Sequence, residues 1–237
     1  MTTMELPTTT ACHDLVEADA YDLYRQIHKG IRHALFQTTL QAGNLDVGDT
    51  DAVERFLGAH QALLGLLHGH HHHEDLFVQP LIAEHAPALA GTIAAQHGDV
   101  EEAMARLEVR GGRLATVARP ARSGTAHNLY LDLGRLTGVY LAHQLVEEAE
   151  VMPALRAAMQ TDELLAVDMA IRATLPPEEM AAVLTHLLPA MDVEERVEML
   201  GGMAAAPPPV LALFTTAAKA ALSADEWAQV ARRVGIS

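Results

Sequence analysis

The sequence predicts an all-α protein, an up-down four-helix bundle followed by a C-terminal subdomain of shorter helices. Three observations lead to this prediction. Long segments carry apolar residues at helical spacing, which is typical of amphipathic helices. Ala, Leu and Val dominate, while aromatic residues make up only 4% of the chain, and this composition favours helices over a β-sandwich. Finally, the sequence contains no β-branched alternation over five or more residues, the pattern expected of half-buried strands.

Four long amphipathic segments account for the predicted bundle, residues 11–160. Each is bounded by residues that commonly begin or end helices, namely capping side chains, a first-turn proline or glycine. The predicted helices are 11–41, ending before Gly43-Asn44; 49–84, beginning at Asp49 and Thr50 with Pro80 near its end; 87–110, from Pro87 to just before Gly111-Gly112; and a fourth that follows Pro120 and Ser123-Gly124 and continues to 160.

Residues 161–237 are predicted to form a helical extension, because their helical segments are shorter and separated by breaks. The breaks are Pro176-Pro177, Gly201-Gly202 and Pro207-Pro208-Pro209. Before the last segment, Ser223 and Glu226 have the spacing of a capping box. The sequence indicates no chemistry for this extension.

Charge and cysteine content exclude several classes of function. The formal net charge is −15, and such a surface repels nucleic acid and anionic membranes. The sequence contains no run of about 18 apolar residues, so no transmembrane helix is predicted. The first ten residues lack the basic start and apolar core of a signal peptide, and a single cysteine, Cys12, fits a reducing compartment. We therefore expect a cytoplasmic protein without nucleic-acid or membrane partners.

A repeated motif carries the chemistry. The spacing His-x3-Glu-x5-Pro occurs twice, at His70, Glu74 and Pro80 and again at His143, Glu147 and Pro153, and a second acid follows each Glu. This register selects His70 from the run of four histidines. A His and a Glu four residues apart lie on the same face of a helix, so each pair can contact one metal site.

The other two predicted helices each place one histidine, His28 or His97, within an apolar face. Inward carboxylates and imidazoles are unfavourable without partners. Cations would bind both and would neutralise the carboxylates, and four-helix bundles hold carboxylate-bridged metal pairs at such positions. Taken singly, His28 and His97 are also compatible with hydrogen-bonded core residues. Imidazole and carboxylate donors without thiolate suit iron or manganese and also allow zinc. The predicted metal ligands are His28, His70, Glu74, His97, His143 and Glu147.

Further polar residues lie near these positions. Glu101, four residues after His97, is either an additional ligand or a surface acid, and we expect the surface acid. Tyr24 and Tyr140 each lie one turn before a predicted ligand, where they either pack in the core or contact the site. The remaining histidines are expected outside the ligand set, with His60 structural and His71, His72 and His73 facing solvent or supporting the ligands from outside.

The order His28, His70-x3-Glu74, His97, His143-x3-Glu147 resembles the hemerythrin-like (HHE cation-binding) family over residues 12–160, and in particular its bacterial members. Oxygen carriers of that family have His-x3-His on the third helix and His-x4-Asp on the fourth. Here Ile93 and Glu101 flank His97, and Glu148 stands at the Asp position, which argues against simple oxygen carriage. The resemblance implies a non-haem di-iron centre with an oxo or hydroxo bridge, with Glu74 and Glu147 bridging or chelating. Manganese or zinc is the less favoured alternative.

The sequence leaves several functions open. The first is binding of, or reaction with, peroxide, dioxygen or nitric oxide, with catalase-like decomposition of peroxide as the preferred activity and reversible binding or sensing as the alternative. The second is iron handling or sensing without turnover, with residues 161–237 passing the signal to a partner. The third is a metal-free interaction bundle.

Overall fold

Four long helices surround a common core in the computed structural model, which describes residues 21–236 of the chain. The fold is all-α as predicted, and these described residues contain no strand. The start of the first predicted helix, residues 11–20, lies outside the described residues, as does Cys12. The helices of the bundle are α1 (Arg25–Gly43), α2 (Thr50–His73), α3 (Gln79–His85), α4 (Pro87–Thr116), α5 (Arg122–Val146) and α6 (Met152–Ala158).

The long helices α1, α2, α4 and α5 form a closed square. Helix α1 packs against α2 and α5, and α4 packs against the same two neighbours. The predicted start of α2 is confirmed, since the Asp49 carboxylate accepts a hydrogen bond from the backbone N–H of Asp51 at 2.9 Å. Each helix therefore presents its apolar stripe to the same interior.

Two helical stretches contain a segment of wider π-helix that begins at the repeated glutamate. The segment Glu74–Val78 joins α2 to α3, and Glu147–Val151 joins α5 to α6. The next residue in each case bonds back five positions, to the carbonyl oxygen of Glu74 or Glu147. Pro80 and Pro153 follow, and proline lacks an N–H and crowds the carbonyl four residues earlier. The widened turn accommodates this crowding, and such turns are often found at functional sites.

Helix α4 is longer than predicted. It continues through Gly111-Gly112 to Thr116, so the expectation that these glycines end the helix is wrong. The reason is packing: a Cβ on Gly111 would lie 2.8 Å from Cε1 of His60, a buried residue of α2. Gly111 lets α2 and α4 approach, rather than breaking the helix.

The residues after the bundle form five more α-helices within the described part of the chain. These are α7 (Thr161–Thr174), α8 (Pro177–Leu187), α9 (Val193–Met203), α10 (Pro208–Ala221) and α11 (Ala224–Val234). The predicted capping box is confirmed, because Ser223 and Glu226 bond reciprocally at the start of α11. Helices α8 to α11 share their own apolar core, and α8 packs on α1.

Two apolar clusters lie in the bundle, one on each side of its polar centre. One contains Leu67, Met104 and Leu136, and the other contains Val78, Ile93 and Val151. These residues precede or follow the predicted ligands along each helix, so the ligands lie between the clusters. None of the helices that the structure describes has the length and apolar character required to cross a membrane.

Candidate metal centre

The six predicted ligands converge at one level of the bundle interior. Helix α1 contributes His28, α4 contributes His97, and each repeated motif contributes its histidine from the end of an α-helix and its glutamate from the first residue of the π-segment. All six are buried, and none is more than 8% exposed. The motif spacing thus places four imidazoles and two carboxylates where a globular core would otherwise be apolar.

Each carboxylate lies against two imidazoles. Oε2 of Glu147 is 3.3 Å from Nε2 of His28 and 3.3 Å from Nε2 of His143. For Glu74, Oε1 is 3.1 Å from Nε2 of His70 and Oε2 is 3.5 Å from Nε2 of His97. Within each motif, His and Glu therefore meet as the four-residue spacing predicts.

These close approaches are not aligned as hydrogen bonds. The Nε2 atoms of the four histidines, both oxygens of Glu74 and Oε2 of Glu147 have no hydrogen-bond partner among the described residues. Buried polar atoms without partners are rare and unfavourable. Two donor atoms that each lie about 2.1 Å from one cation, at a right angle, are about 3 Å apart. The observed spacing therefore fits atoms that share cations, and the donor set suits a transition metal.

The donor atoms divide into two groups that share one carboxylate. His28, His70, Glu74 and Glu147 form one group, and His71, Glu74, His97 and His143 form the other. In each group, one ligand atom from every residue lies within 4.8 Å of the others. Glu74 is thus the one described residue that could serve a cation in either group.

His71 is the residue whose placement the sequence analysis missed. We expected it to accompany His72 and His73, facing solvent or supporting the ligands from outside. Only His72 is exposed, whereas His71 is 3% exposed and contributes to the second group. The four-residue periodicity used to assign ligands selected one histidine per motif and so passed over its neighbour.

Other side chains fix the outward nitrogens of the imidazoles. Nδ1 of His28 lies 2.8 Å from Oε1 of Glu148, and Nδ1 of His97 lies 3.0 Å from Oδ1 of Asp75. Nδ1 of His143 bonds to the amide oxygen of Gln96 at 3.1 Å. These bonds leave each Nε2 facing the centre, the orientation that metal-bound histidines require.

The second acid of each motif therefore has a role that its spacing alone did not reveal. Asp75 and Glu148 directly follow the two glutamates, and each contacts a histidine from a neighbouring helix. Glu148 is also held by two hydrogen bonds from the guanidinium of Arg32, at 2.7 and 2.9 Å. The signal was present in the sequence as an acid repeated at the same position of both motifs.

Burial and neighbouring charge shift the pKa values of these groups in opposite directions. Burial lowers the pKa of both His70 and His143 to about 3, so both are neutral and able to donate a lone pair. Burial also favours a lower pKa for His28 and His97. The carboxylates beside these two histidines outweigh that effect and raise each pKa to about 9. Burial and the charge of Glu74 raise the pKa of Glu147 to about 8.

The remaining candidates are placed as follows. Tyr24 and Tyr140 are buried, their hydroxyls have no partner among the described residues, and burial followed by the charges of the two central glutamates raises both pKa values well above the usual value. Glu101 is exposed and belongs to neither group of donors. His60 is buried against Gly111, away from both groups.

A family model described as hemerythrin HHE cation binding domain matches residues 19–155. This span is more than half of the chain and contains all six predicted ligands and both repeated motifs. Neither a search of curated proteins nor a search of solved structures found a match.

Proposed function

The chain belongs to the hemerythrin HHE cation-binding family, and on that premise we propose that it is a non-haem di-iron protein that binds or reacts with peroxide, dioxygen or nitric oxide. The activity we favour is catalase-like decomposition of peroxide. The observation that carries the proposal is the convergence of four unpartnered imidazole nitrogens and two carboxylates in a closed core. These atoms have no hydrogen-bond partner among the described residues, and two cations would satisfy them.

The proposed ligands are the six that the sequence predicts. His28, His70 and Glu147 would hold one iron, His97 and His143 the other, and Glu74 would bridge them, in line with the two groups of donors. A bound iron pair would supply two electrons and open Lewis-acid positions to a small ligand.

The protein's own residues supply orientation, protons and the exclusion of water. Glu148 and Asp75 hold the rings of His28 and His97 through Nδ1. The hydroxyls of Tyr24 and Tyr140 keep their protons, because burial disfavours the phenolate, and can donate hydrogen bonds to an oxygen-rich ligand at the centre. The apolar clusters on both sides keep bulk water from the site.

Metal analysis combined with visible spectroscopy of the full chain tests this proposal. We expect about two irons per chain and absorption bands that shift or bleach when peroxide or nitric oxide is added, and evolution of dioxygen from peroxide would identify the catalase-like reaction. A colourless protein without transition metal, isolated from iron-sufficient cells, would overturn the proposal and favour a metal-free interaction bundle.

Iron sensing is a second candidate, because the C-terminal helices contact the elements that carry the ligands. Lys29, next to His28, bonds both carboxylate oxygens of Glu195 at 2.7 and 2.8 Å, and His73, next to Glu74, bonds Thr174 at 3.0 Å. Ligand binding to the folded state would be transmitted through such contacts. A sensor would show a large change in thermal stability or oligomeric state on iron loading, without turnover of peroxide.

A further inference from the structure

His71 is a buried imidazole that forms no hydrogen bond within residues 21–236. Both of its ring nitrogens lack a hydrogen-bond partner among the described residues. A neutral imidazole always carries one N–H donor and one acceptor nitrogen. Leaving both unsatisfied in a side chain that is 3% exposed is more unfavourable than leaving one, so a partner is expected at this position.

Helix geometry explains why His70 and His71 can both face the centre. Successive residues of an α-helix are about 100° apart around its axis, and α2 packs between α1 and α4. The ring of His70 meets that of His28 at 5.3 Å, while the ring of His71 stacks on that of His97 at 4.5 Å. The two neighbours therefore face two different points within the bundle.

Glu74 lies between these two points. It is four residues after His70 and three after His71, and both spacings bring side chains together on a helix surface. Its carboxylate belongs to the donor group that contains His70 and to the group that contains His71. The last turn of α2 thus presents an imidazole to each cation, and the first residue of the π-segment presents a carboxylate to both.

The number of available donors also differs between the two cations. The first has two imidazoles and two carboxylates, from His28, His70, Glu74 and Glu147. For the second, α4 offers only His97, since Ile93 one turn before it is apolar and Glu101 one turn after it is exposed. Without a further donor this cation would have His97, His143 and Glu74 alone, one fewer than its neighbour.

We propose that His71 is a ligand of the second cation, which makes its protein ligands His71, His97, His143 and Glu74. This assignment rests on the two-cation centre proposed above and adds a fifth imidazole to it. The ring stays in place by stacking on His97 and on Tyr140, whose centroid is 5.5 Å away.

The other motif provides a natural choice of variant. Gln144 follows His143 as His71 follows His70, and it too is fully buried. Glutamine is therefore already accommodated at the corresponding position of α5, which makes His71→Gln the mildest way to remove the imidazole. His72→Gln is the matched control, because His72 is its exposed neighbour on the same helix.

Metal titration of the full chain, with manganese(II) as the probe, compares the three proteins. Wild type and His72→Gln are expected to bind two ions each. His71→Gln is expected to keep one ion at wild-type affinity and to bind the second about tenfold or more weakly. Two ions bound by His71→Gln with unchanged affinity would overturn the assignment while leaving the two-cation centre intact. Failure of the wild type to bind two ions would overturn both.

A measurement on the wild type tests the assignment of His71 even if the His71→Gln variant fails to fold. In protein labelled with ¹⁵N-histidine and loaded with zinc, which is diamagnetic, metal-bound ring nitrogens can be counted by NMR. We expect five coordinated imidazoles, from His28, His70, His71, His97 and His143. Two bound zinc ions with only four coordinated imidazoles would contradict the role of His71.

Discussion

At the scale of single residues, the acids behind the ligands decide how well the imidazoles are oriented. Glu148 accepts from Nδ1 of His28 and is itself fixed by two hydrogen bonds from Arg32. An accepting carboxylate selects the tautomer that leaves Nε2 free and increases its basicity. Glu148 thus fixes the ring of His28 with Nε2 facing the centre, although Glu148 belongs to neither group of donors.

Replacing Glu148 by alanine is expected to weaken metal binding by about 10–100-fold, because His28 loses the partner that orients it. The matched control is Glu150→Ala, which removes an exposed acid two residues further along the same segment. Metal titration of both variants against wild type measures the effect. Equal affinities for the two variants would show that Glu148 does not position His28.

The pKa values at the centre make the stability of the metal-free protein depend on pH. The pKa values of His28 and His97 are raised to about 9 and that of Glu147 to about 8. A group whose pKa is raised on folding contributes stability below its unfolded value and loses it as the pH passes through the folded value. His70 and His143 have pKa values lowered to about 3, so they change the stability only below pH 6.5.

We therefore expect the melting temperature of the metal-free protein to fall between pH 6.5 and pH 9. A loss of about 1 kcal/mol corresponds to about 2–4 °C for a chain of this size. The metal-loaded protein should gain stability over the metal-free protein across the same range, since metals compete with protons for these ligands. Thermal unfolding with and without chelator measures how the melting temperature of each form depends on pH. A melting temperature of the metal-free protein that stays constant or rises between pH 6.5 and pH 9 would contradict the assignment of its protons.

Six of the seven residues in the two candidate donor groups were predicted as ligands from the sequence, because each lies on an apolar stripe at helical spacing. His71 was not, since a stripe describes one line along a helix and the two donor groups together are wider than one line. Which of four adjacent histidines face inward depends on the rotation of α2 relative to α1 and α4, and only tertiary packing fixes that rotation.

At the scale of elements, the two motifs are alike in backbone as well as in side chains. Both place a π-segment between Glu and Pro, at Glu74–Val78 and at Glu147–Val151. These segments coincide with the repeated spacing from His to Pro, but that spacing does not indicate their form. A proline can kink a helix, end it or widen it, and the choice depends on packing that a single sequence does not contain.

Gly111 provides a test of how α2 and α4 approach each other. Alanine at an exposed helical glycine stabilises by up to about 1 kcal/mol, but at position 111 its Cβ would press on the buried ring of His60. Overpacking of this kind costs about 1–3 kcal/mol. We expect Gly111→Ala to lower the free energy of unfolding, and Gly112→Ala, which has open space and is exposed, to raise it or leave it unchanged.

Urea denaturation of the two glycine variants measures this difference. Because the positions are adjacent on one helix, their helical propensities cancel in the comparison and the contact with His60 remains. A Gly111→Ala variant as stable as Gly112→Ala would show that the ring of His60 moves aside without penalty.

At the scale of the whole molecule, the extension after the bundle is divided between two cores. Leu164 of α7 is buried with the cluster that contains Val78 and Val151, whereas Leu184 and Leu187 of α8 lie in the separate C-terminal core. The sequence predicted helices and breaks here, but the break expected at Gly201-Gly202 is wrong, because both glycines lie within α9. It could not predict how the helices are shared between cores, because short apolar stripes fit either partner equally well.

The C-terminal core is attached to the bundle through α1, close to the proposed ligand His28. Gly30 lies against α8, where a Cβ would be 3.2 Å from the Cα of Leu187, and Lys29 pairs with Glu195. Backbone at that distance cannot move aside as a side-chain end can, so the helices must separate to admit an alanine. The docking of the extension therefore depends on Gly30, two residues after the proposed ligand His28.

Gly30→Ala is therefore expected to destabilise the docked C-terminal helices by about 1–3 kcal/mol before it affects the bundle. Trp227, the only tryptophan of the chain, lies in α11 and reports on that part alone. In wild type we expect its fluorescence and the helical circular dichroism to lose their signals at one temperature, as cooperative unfolding requires. In Gly30→Ala the fluorescence transition should come first.

Gly138→Ala, on an exposed face of α5 with nothing near the added Cβ, is the matched control and should keep the two transitions together. If the transitions also coincide in Gly30→Ala, the extension does not depend on close approach at Gly30. If they are already separate in wild type, the C-terminal core unfolds independently, and contact through α1 cannot carry a signal from the metal centre.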